Sequence, residues 1–176
     1  MAVLGFVAIS VVAACSTVKR HGASVSEQAG VPFKGAPSVD ALVDQFVAGV
    51  AAKDTGTLHT LRVNEAEYRR IIVPGSAPVG KTPTYVADMS NEFFWRMLDQ
   101  KSRDFLDVVL NDYGGHPLQR GQVTYTKKPR QYAWYRAYGE VRIPVSDGQG
   151  HTALLKSGWI AEVDGQYKFI GFNWDD

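Results

Sequence analysis

Apolar residues recur at helical spacing in the part of the chain that follows residue 38. Leu42, Phe46 and Val50 form an apolar stripe behind Ser38, a residue type that favours helix N-caps, and together they predict a helix over Val39–Ala52. The same reasoning predicts three further helices, over residues 57–61, over residues 65–72 behind Asn64, and from Ser90 to the Gly114-Gly115 pair.

After residue 120 the pattern changes from helical spacing to alternation, which is typical of strands. Four strands are predicted, over residues 122–126, 131–145, 151–163 and 166–174. The Asp164-Gly165 turn places Val163 opposite Gln166, and we expect Val145 to pair with His151. Helices followed by an antiparallel meander predict an α+β domain with the helices packed on one face of the sheet.

The expected register sorts the strand residues onto two faces. The predicted core face carries Tyr135, Ala137, Val141, Ile143, Leu155, Trp159, Ala161, Ile170, Phe172 and Trp174. The other face, half-exposed, carries aromatic and charged side chains: Trp134, Arg136, Tyr138, Glu140, Arg142, Glu162, Tyr167 and Phe169.

The first eighteen residues carry no charge, and residues 1–14 are almost entirely apolar or small. Such a run is too short to cross a bilayer comfortably but fits the core of a signal peptide. It ends in Val12-Ala13-Ala14-Cys15, which resembles the bacterial lipoprotein signal, although no Lys or Arg precedes Cys15. The resemblance implies cleavage before Cys15 and lipid attachment to its thiol. An uncleaved membrane anchor and a chance Ala-Ala-Cys are the alternatives.

These observations predict a division of the chain into three parts. Residues 1–14 form the signal peptide, residues 15–37 the lipidated Cys15 with a flexible tether rich in Ser and Gly, and residues 38–176 a single domain. The predicted location is the bacterial cell envelope, at the outer membrane or the outer face of the cytoplasmic membrane.

Composition narrows the classes of function. The 176 residues include 19 basic and 18 acidic side chains, and a net charge of +1 gives no reason to expect nucleic-acid binding. Because Cys15 is the only cysteine, an intramolecular disulfide and a multi-cysteine metal site are excluded. The four histidines lack metal-ligand spacing, so we expect neither a metal nor a cofactor.

Residues 75–82, Gly-Ser-Ala-Pro-Val-Gly-Lys-Thr, match the phosphate-binding loop pattern letter by letter. That loop must join a buried strand to a long helix, and Pro78 and Pro83 disturb both. We therefore interpret the segment as a Pro/Gly loop. Arg69 and Arg70 could clamp an anion, but adjacent residues point in different directions on a helix.

The order of elements resembles the nuclear-transport-factor-2-like superfamily, also called the cystatin-like cone. The resemblance is carried by the helix Val39–Ala52, the following segment 53–58 and the closing hairpin 158–172. It implies a curved antiparallel sheet that, with a helix, encloses a cone-shaped pocket. Some members are isomerases, cyclases or dehydratases, and many secreted members have no known reaction. This sequence departs from the family where early strands are common, since residues 65–72 are predicted to be helical.

Two groups of residues are candidates for a functional site. An enzyme that used the cone would need a base and an electrophilic partner in an apolar pocket. The candidate pocket comprises Tyr68, Trp95, Asp99, Tyr135, Ser157, Trp159 and Trp174, with Asp99 as base and Tyr85 as a further partner. The alternative is that Asp99 lies on a solvated helix face.

The second group is a candidate interaction face for a protein partner or a second copy: Trp134, Arg136, Tyr138, Tyr167 and Phe169. Cross-strand aromatic packing under Arg and Lys stems is the alternative. We expect a lipid-anchored envelope protein that binds a partner or a small apolar ligand without catalysis. The alternative is a small isomerase-, cyclase- or dehydratase-like enzyme.

Overall fold

The computed structural model describes residues 23–80 and 89–172. Its helices are α1 (Val25–Ala29), α2 (Val39–Ala52), α3 (Thr55–Thr60), α4 (Glu65–Glu67), a π-helix (Tyr68–Ile72), α5 (Val73–Gly75) and α6 (Met89–Tyr113). The strands are β1 (Leu118–Arg120), β2 (Thr124–Gln131), β3 (Arg136–Asp147), β4 (Thr152–Ser157), β5 (Ile160–Val163) and β6 (Gln166–Phe169). The antiparallel sheet curls into a half-barrel with helices packed against it, which confirms the predicted α+β fold.

The helix predictions hold, with shifts at the ends. Ser38 caps α2 by accepting the N–H of Ala41 at 3.1 Å, as predicted. The segment that follows Asn64 is helical but continues to Gly75. Pro74 is tolerated there because it lies in the first turn of α5, where a missing backbone N–H costs little. The long helix begins at Met89, so Ser90 lies in its first turn and is not the residue before it.

Strand β3 is the centre of the sheet. It pairs with β1 and β2 along one edge and with β4 and β5 along the other, and β6 extends the sheet beyond β5. The predicted strand 151–163 is two strands, interrupted at Gly158-Trp159, and the last strand ends at Phe169. Residues 132–135, predicted to be strand, form the β2–β3 connection.

The register predicted from the Asp164-Gly165 turn is confirmed, since Val163 pairs with Gln166. The other predicted register is wrong by two residues: Val145 pairs with Ala153, and the turn closes between Asp147 and His151. A slip of two residues keeps every side chain on its own face, so the hydrophobic pattern could not distinguish the two pairings.

The described residues of the predicted core face do pack inward, but they are divided between two cores. The first core lies between α2, α6 and the sheet; its buried residues include Leu42, Phe46, Val50, Phe105, Val141, Ile143, Leu155, Ile160, Phe169 and Phe172. The second core lies under α1 and the π-helix; its buried residues are Phe33, Val63, Ile71, Ile72, Trp95, Tyr135, Ala137, Ala161 and Val163.

A kink in β3 divides these cores. Ala137 belongs to the second core and Val141 to the first, and between them Glu140 has a φ of +48°. A residue in the left-handed conformation bends a strand. Alternate residues that would share one face of a straight strand therefore point into different cores on the two sides of the kink. Phe169, predicted to be half-exposed, is therefore fully buried, with its ring 5.4 Å from that of Phe46.

The prediction of a flexible tether is wrong for residues 23–37, which fold onto the domain. Ser24 and Glu27 form a capping box at the start of α1, and Asp164 accepts the backbone N–H groups of Val25 and Ser26, each at 3.0 Å. Phe33 is only 5% exposed in the second core. These contacts offset the entropy of ordering the segment, which a Ser- and Gly-rich composition alone does not reveal.

The predicted signal peptide, Cys15 and the part of the predicted tether up to residue 22 lie outside the described residues. No helix within 23–80 or 89–172 is both long enough and apolar enough to cross a bilayer.

Candidate functional site

A cleft opens on the surface where α1, the π-helix and the β2–β3 connection meet. Its lining residues are Gln28, Ala29, Arg70 and Trp134, and its volume is about 280 Å³; we call it the Arg70–Trp134 cleft. A second hollow of about 340 Å³, lined by Glu65, Ala66, Arg69 and Arg70, adjoins it at Arg70. One guanidinium group therefore borders both hollows.

The π-helix presents Arg70 to the cleft. The N–H of Val73 bonds to the carbonyl of Tyr68, five residues earlier, so this turn is wider than an α-helical one. Ile71 and Ile72 are buried in the second core, while Arg70 is exposed. Wide turns of this kind often occur at functional sites.

Trp134 is held in place by the end of α5. Its N–H bonds to the carbonyl of Gly75 at 3.4 Å, and the N–H of Ala133 bonds to the carbonyl of Ala77 at 3.0 Å. A Cβ atom on Gly75 would lie 2.8 Å from the Cβ of Trp134, so only glycine permits this approach.

The two neighbouring arginines differ in their ion pairing. Arg69 binds Glu65, with 3.1 Å between Nη1 and Oε1. Within the described part of the chain, no carboxylate pairs with Arg70. Its guanidinium donors are therefore available to a ligand in the cleft.

Four of the predicted pocket residues come together in the second core. The rings of Tyr68 and Trp95 are 5.4 Å apart, and Tyr135 and Trp159 belong to the same cluster. The hydroxyls of Tyr135 and Ser76 share a hydrogen bond of 2.7 Å. Burial raises the pKa of Tyr135 to about 12, since it disfavours the phenolate. These residues are core packing behind the Arg70–Trp134 cleft and do not line it.

Asp99 is not placed to act as a general base. Its carboxylate binds Arg62, and its Oδ2 lies 2.9 Å from Nε of Arg103. Burial opposes its ionisation, but hydrogen bonds from both arginines outweigh burial and lower the pKa. A carboxylate stabilised in this way is a weak proton acceptor at neutral pH.

Ser157 lies apart from the other predicted pocket residues. It is buried on β4 and borders a separate hollow of about 90 Å³ beside Glu140 and Arg142. Trp174 and Tyr85 lie outside the described residues. The described part of the predicted catalytic set therefore does not converge on one cavity.

The predicted interaction face is divided in the same way. Tyr138 and Tyr167 form a half-exposed aromatic pair 6.2 Å apart, and the Arg136 guanidinium lies 5.3 Å from the Tyr138 ring. The Tyr138 hydroxyl donates to Glu162 at 2.6 Å. Phe169 belongs to the first core, and Trp134 belongs to the cleft. Three of the five residues thus remain on one face.

The structural context does not support the phosphate-binding loop. Gly75 ends a helical segment, whereas the motif requires a buried strand before it. Lys81 and Thr82 of the motif lie outside the described residues. Within residues 23–80 and 89–172, no three His, Cys, Asp or Glu side chains form a group that could hold a metal ion.

The cleft was missed because its residues are distant in sequence. Gln28 and Ala29 fall in the predicted tether, Trp134 falls in the predicted interaction face, and the sequence offers Arg70 only as one of a pair with Arg69. The Ser24-x-x-Glu27 capping box is the one local signal that could have revealed α1. The chain matches no protein-family model, no curated protein and no solved structure.

Proposed function

We propose that this protein is a lipid-anchored protein of the bacterial cell envelope that binds, without catalysis, a ligand carrying one anionic group and an apolar part. The Val12–Cys15 sequence supports the lipid anchor, and we assign binding to the Arg70–Trp134 cleft. The observation that carries the proposal is that Arg70, which has no carboxylate partner among the described residues, borders the same cleft as the indole ring of Trp134.

The two side chains supply complementary interactions. A guanidinium group presents a planar fork of donors that matches a carboxylate or a phosphate, and the indole of Trp134 offers a large apolar surface. The cleft volume of about 280 Å³ is close to the lower end of the usual range for ligand pockets, so a small molecule or a small head group fits.

Two features support binding without catalysis. The carboxylate of Asp99 is held by Arg62 and Arg103, and the hydroxyl of Tyr135 is bonded to Ser76. Neither group borders the cleft, so the ligand would meet a cation and an apolar wall there but no acid–base pair.

The ligand proposal is tested by mass spectrometry of small molecules that copurify with the full chain. Arg70→Gln is expected to weaken ligand binding tenfold or more, because it removes charge-assisted hydrogen bonds. Arg96→Gln is the matched control, since Arg96 is an exposed arginine on α6 paired with Glu92 and outside the cleft. Equal ligand retention by both variants would contradict the assignment to this cleft.

The anchor is tested on protein extracted from membranes. A mass consistent with lipid on Cys15 and loss of residues 1–14 is expected, and Cys15→Ser should remove the lipid mass. An unmodified Cys15 with the preceding residues retained would contradict the anchor.

A further inference from the structure

We infer that the anionic group bound in the Arg70–Trp134 cleft is the phosphate of an anionic phospholipid from the membrane that carries the protein. This inference rests on the proposed function, and it specifies both the class of ligand and its source. It is argued from the position of the cleft relative to the predicted lipid attachment point.

The chain enters the folded domain at the side that carries the cleft. Ala23 immediately precedes the Ser24 cap of α1, and Asp164 fixes the start of α1 through Val25 and Ser26. The helix has only five residues, about 7.5 Å at the usual rise, and the cleft residues Gln28 and Ala29 lie in its second half. At the usual rise per residue, the cleft is therefore about 10 Å from the chain's entry point at Ala23.

The distance to the membrane is limited by the eight peptide steps from Cys15 to Ala23. Eight peptide steps span at most about 26–29 Å, whatever their conformation. A domain of this size is about 35–40 Å across. With Cys15 in the bilayer surface, the face that bears α1 is the one held near the membrane, and the opposite face is held away from it.

The chemistry of the cleft fits a phospholipid head group at that distance. The phosphate diester carries one negative charge and two free oxygens, which match the fork of Arg70. Trp134 combines an apolar ring with one N–H donor, a combination favoured where water meets hydrocarbon. A volume of about 280 Å³ accommodates a head group with the first carbons of its acyl chains beside Trp134, so the rest of the chains would stay in the bilayer.

Charge near the cleft favours an anionic lipid. In the adjoining hollow Glu65 offsets the charge of Arg69, so Arg70 supplies the positive charge there. Lys19 and Arg20 lie in the segment between Cys15 and the domain. Basic groups close to an anionic bilayer are each attracted to it, within about a Debye length.

The experiment measures binding of three probes to the purified full chain by calorimetry: dihexanoylphosphatidylglycerol, dihexanoylphosphatidylcholine and sn-glycerol 3-phosphate. We expect phosphatidylglycerol to bind at least tenfold more tightly than glycerol phosphate, which lacks the apolar part, and more tightly than phosphatidylcholine, which carries a cation. Arg70→Gln should weaken phosphatidylglycerol binding tenfold or more, Arg70→Lys by less, and Arg96→Gln should leave it unchanged.

The outcomes separate this inference from the proposed function. If glycerol phosphate binds as tightly as phosphatidylglycerol and the binding depends on Arg70, the cleft takes a soluble anion and the membrane source is overturned while the proposed function stands. If no probe binds but an Arg70-dependent ligand copurifies, the inference of a phospholipid is overturned and the proposed function stands. If binding is the same in Arg70→Gln and wild type, the inference and the assignment to this cleft are both overturned.

Discussion

The ion pair between Lys168 and Glu67 fixes the segment that leads into the π-helix against β6. The Lys168 Nζ atom lies 2.9 Å from both carboxylate oxygens, and the two side chains are only 7% and 3% exposed. Lys168→Met would keep the length and the apolar stem of the side chain and remove the charge. We expect this substitution to lower the free energy of unfolding by about 3–5 kcal/mol, the usual cost of leaving a buried charge unpaired.

The magnitude follows from what remains around Glu67. After the substitution its carboxylate keeps one hydrogen bond, from the N–H of Asn64 at 2.8 Å. Packing changes little, because methionine fills nearly the same volume as the lysine stem. An exposed ion pair contributes only about 0.2–1 kcal/mol, so the measured loss distinguishes a buried pair from an exposed one.

The assay is urea unfolding of the full chain at pH 7, with the free energy taken from the midpoint and the slope. Arg69→Met is the control, since it breaks the more exposed pair with Glu65 and should cost under about 1 kcal/mol. The double variant Glu67→Leu with Lys168→Met should recover most of the loss, because no buried charge remains. A cost below about 1 kcal/mol for Lys168→Met, or no recovery in the double variant, would refute the reasoning.

Three further substitutions test other parts of the structure. Asp164→Ala removes the acceptor at the start of α1. Amide hydrogen exchange in that helix, measured by mass spectrometry, should become about fivefold faster, and an unchanged rate would contradict the docking of residues 23–37 onto the domain. Asp99→Asn should lower stability by at least about 2 kcal/mol at pH 7. Because the folded pKa of Asp99 is lowered, this difference should be full above about pH 4 and should vanish as the pH falls through the folded pKa; a difference independent of pH would contradict the ion pairs. Gly139→Ala places a Cβ 2.5 Å from the Trp159 ring. It should lower the free energy of unfolding in urea by about 1–3 kcal/mol and alter tryptophan fluorescence, and no change in either would contradict the close approach.

The helices were predictable because their signals are local. Ser38 caps α2 by accepting the N–H of Ala41, only three residues further along the chain. The apolar stripe that follows has the period of a helix. The Asp164-Gly165 turn likewise fixes the register of β5 and β6 within four residues. Asp164 and Gly165 both have positive φ there, as this short turn requires.

The candidate site was only partly predictable. Tyr68, Trp95, Tyr135 and Trp159, which were predicted to share a pocket, lie together in one cluster, but that cluster is the second core. The sequence could not show that they are core residues. The spacing of aromatic residues along the chain is the same whether they line a pocket or fill a core. The cleft itself combines α1, the π-helix and the β2–β3 connection, which are brought together only by long-range packing.

By itself, the sequence determined the α+β order, most helices, the closing hairpin and the prediction of lipid attachment at Cys15. The tertiary structure decided where the sheet bends, which residues form two cores instead of one, and that residues 23–37 belong to the domain. The physical reason is the range of the interactions. Caps, turns and periodicity act within a few residues, whereas the kink at Glu140, the hydrogen bonds that α1 donates to Asp164 and the burial of Lys168 depend on partners far along the chain.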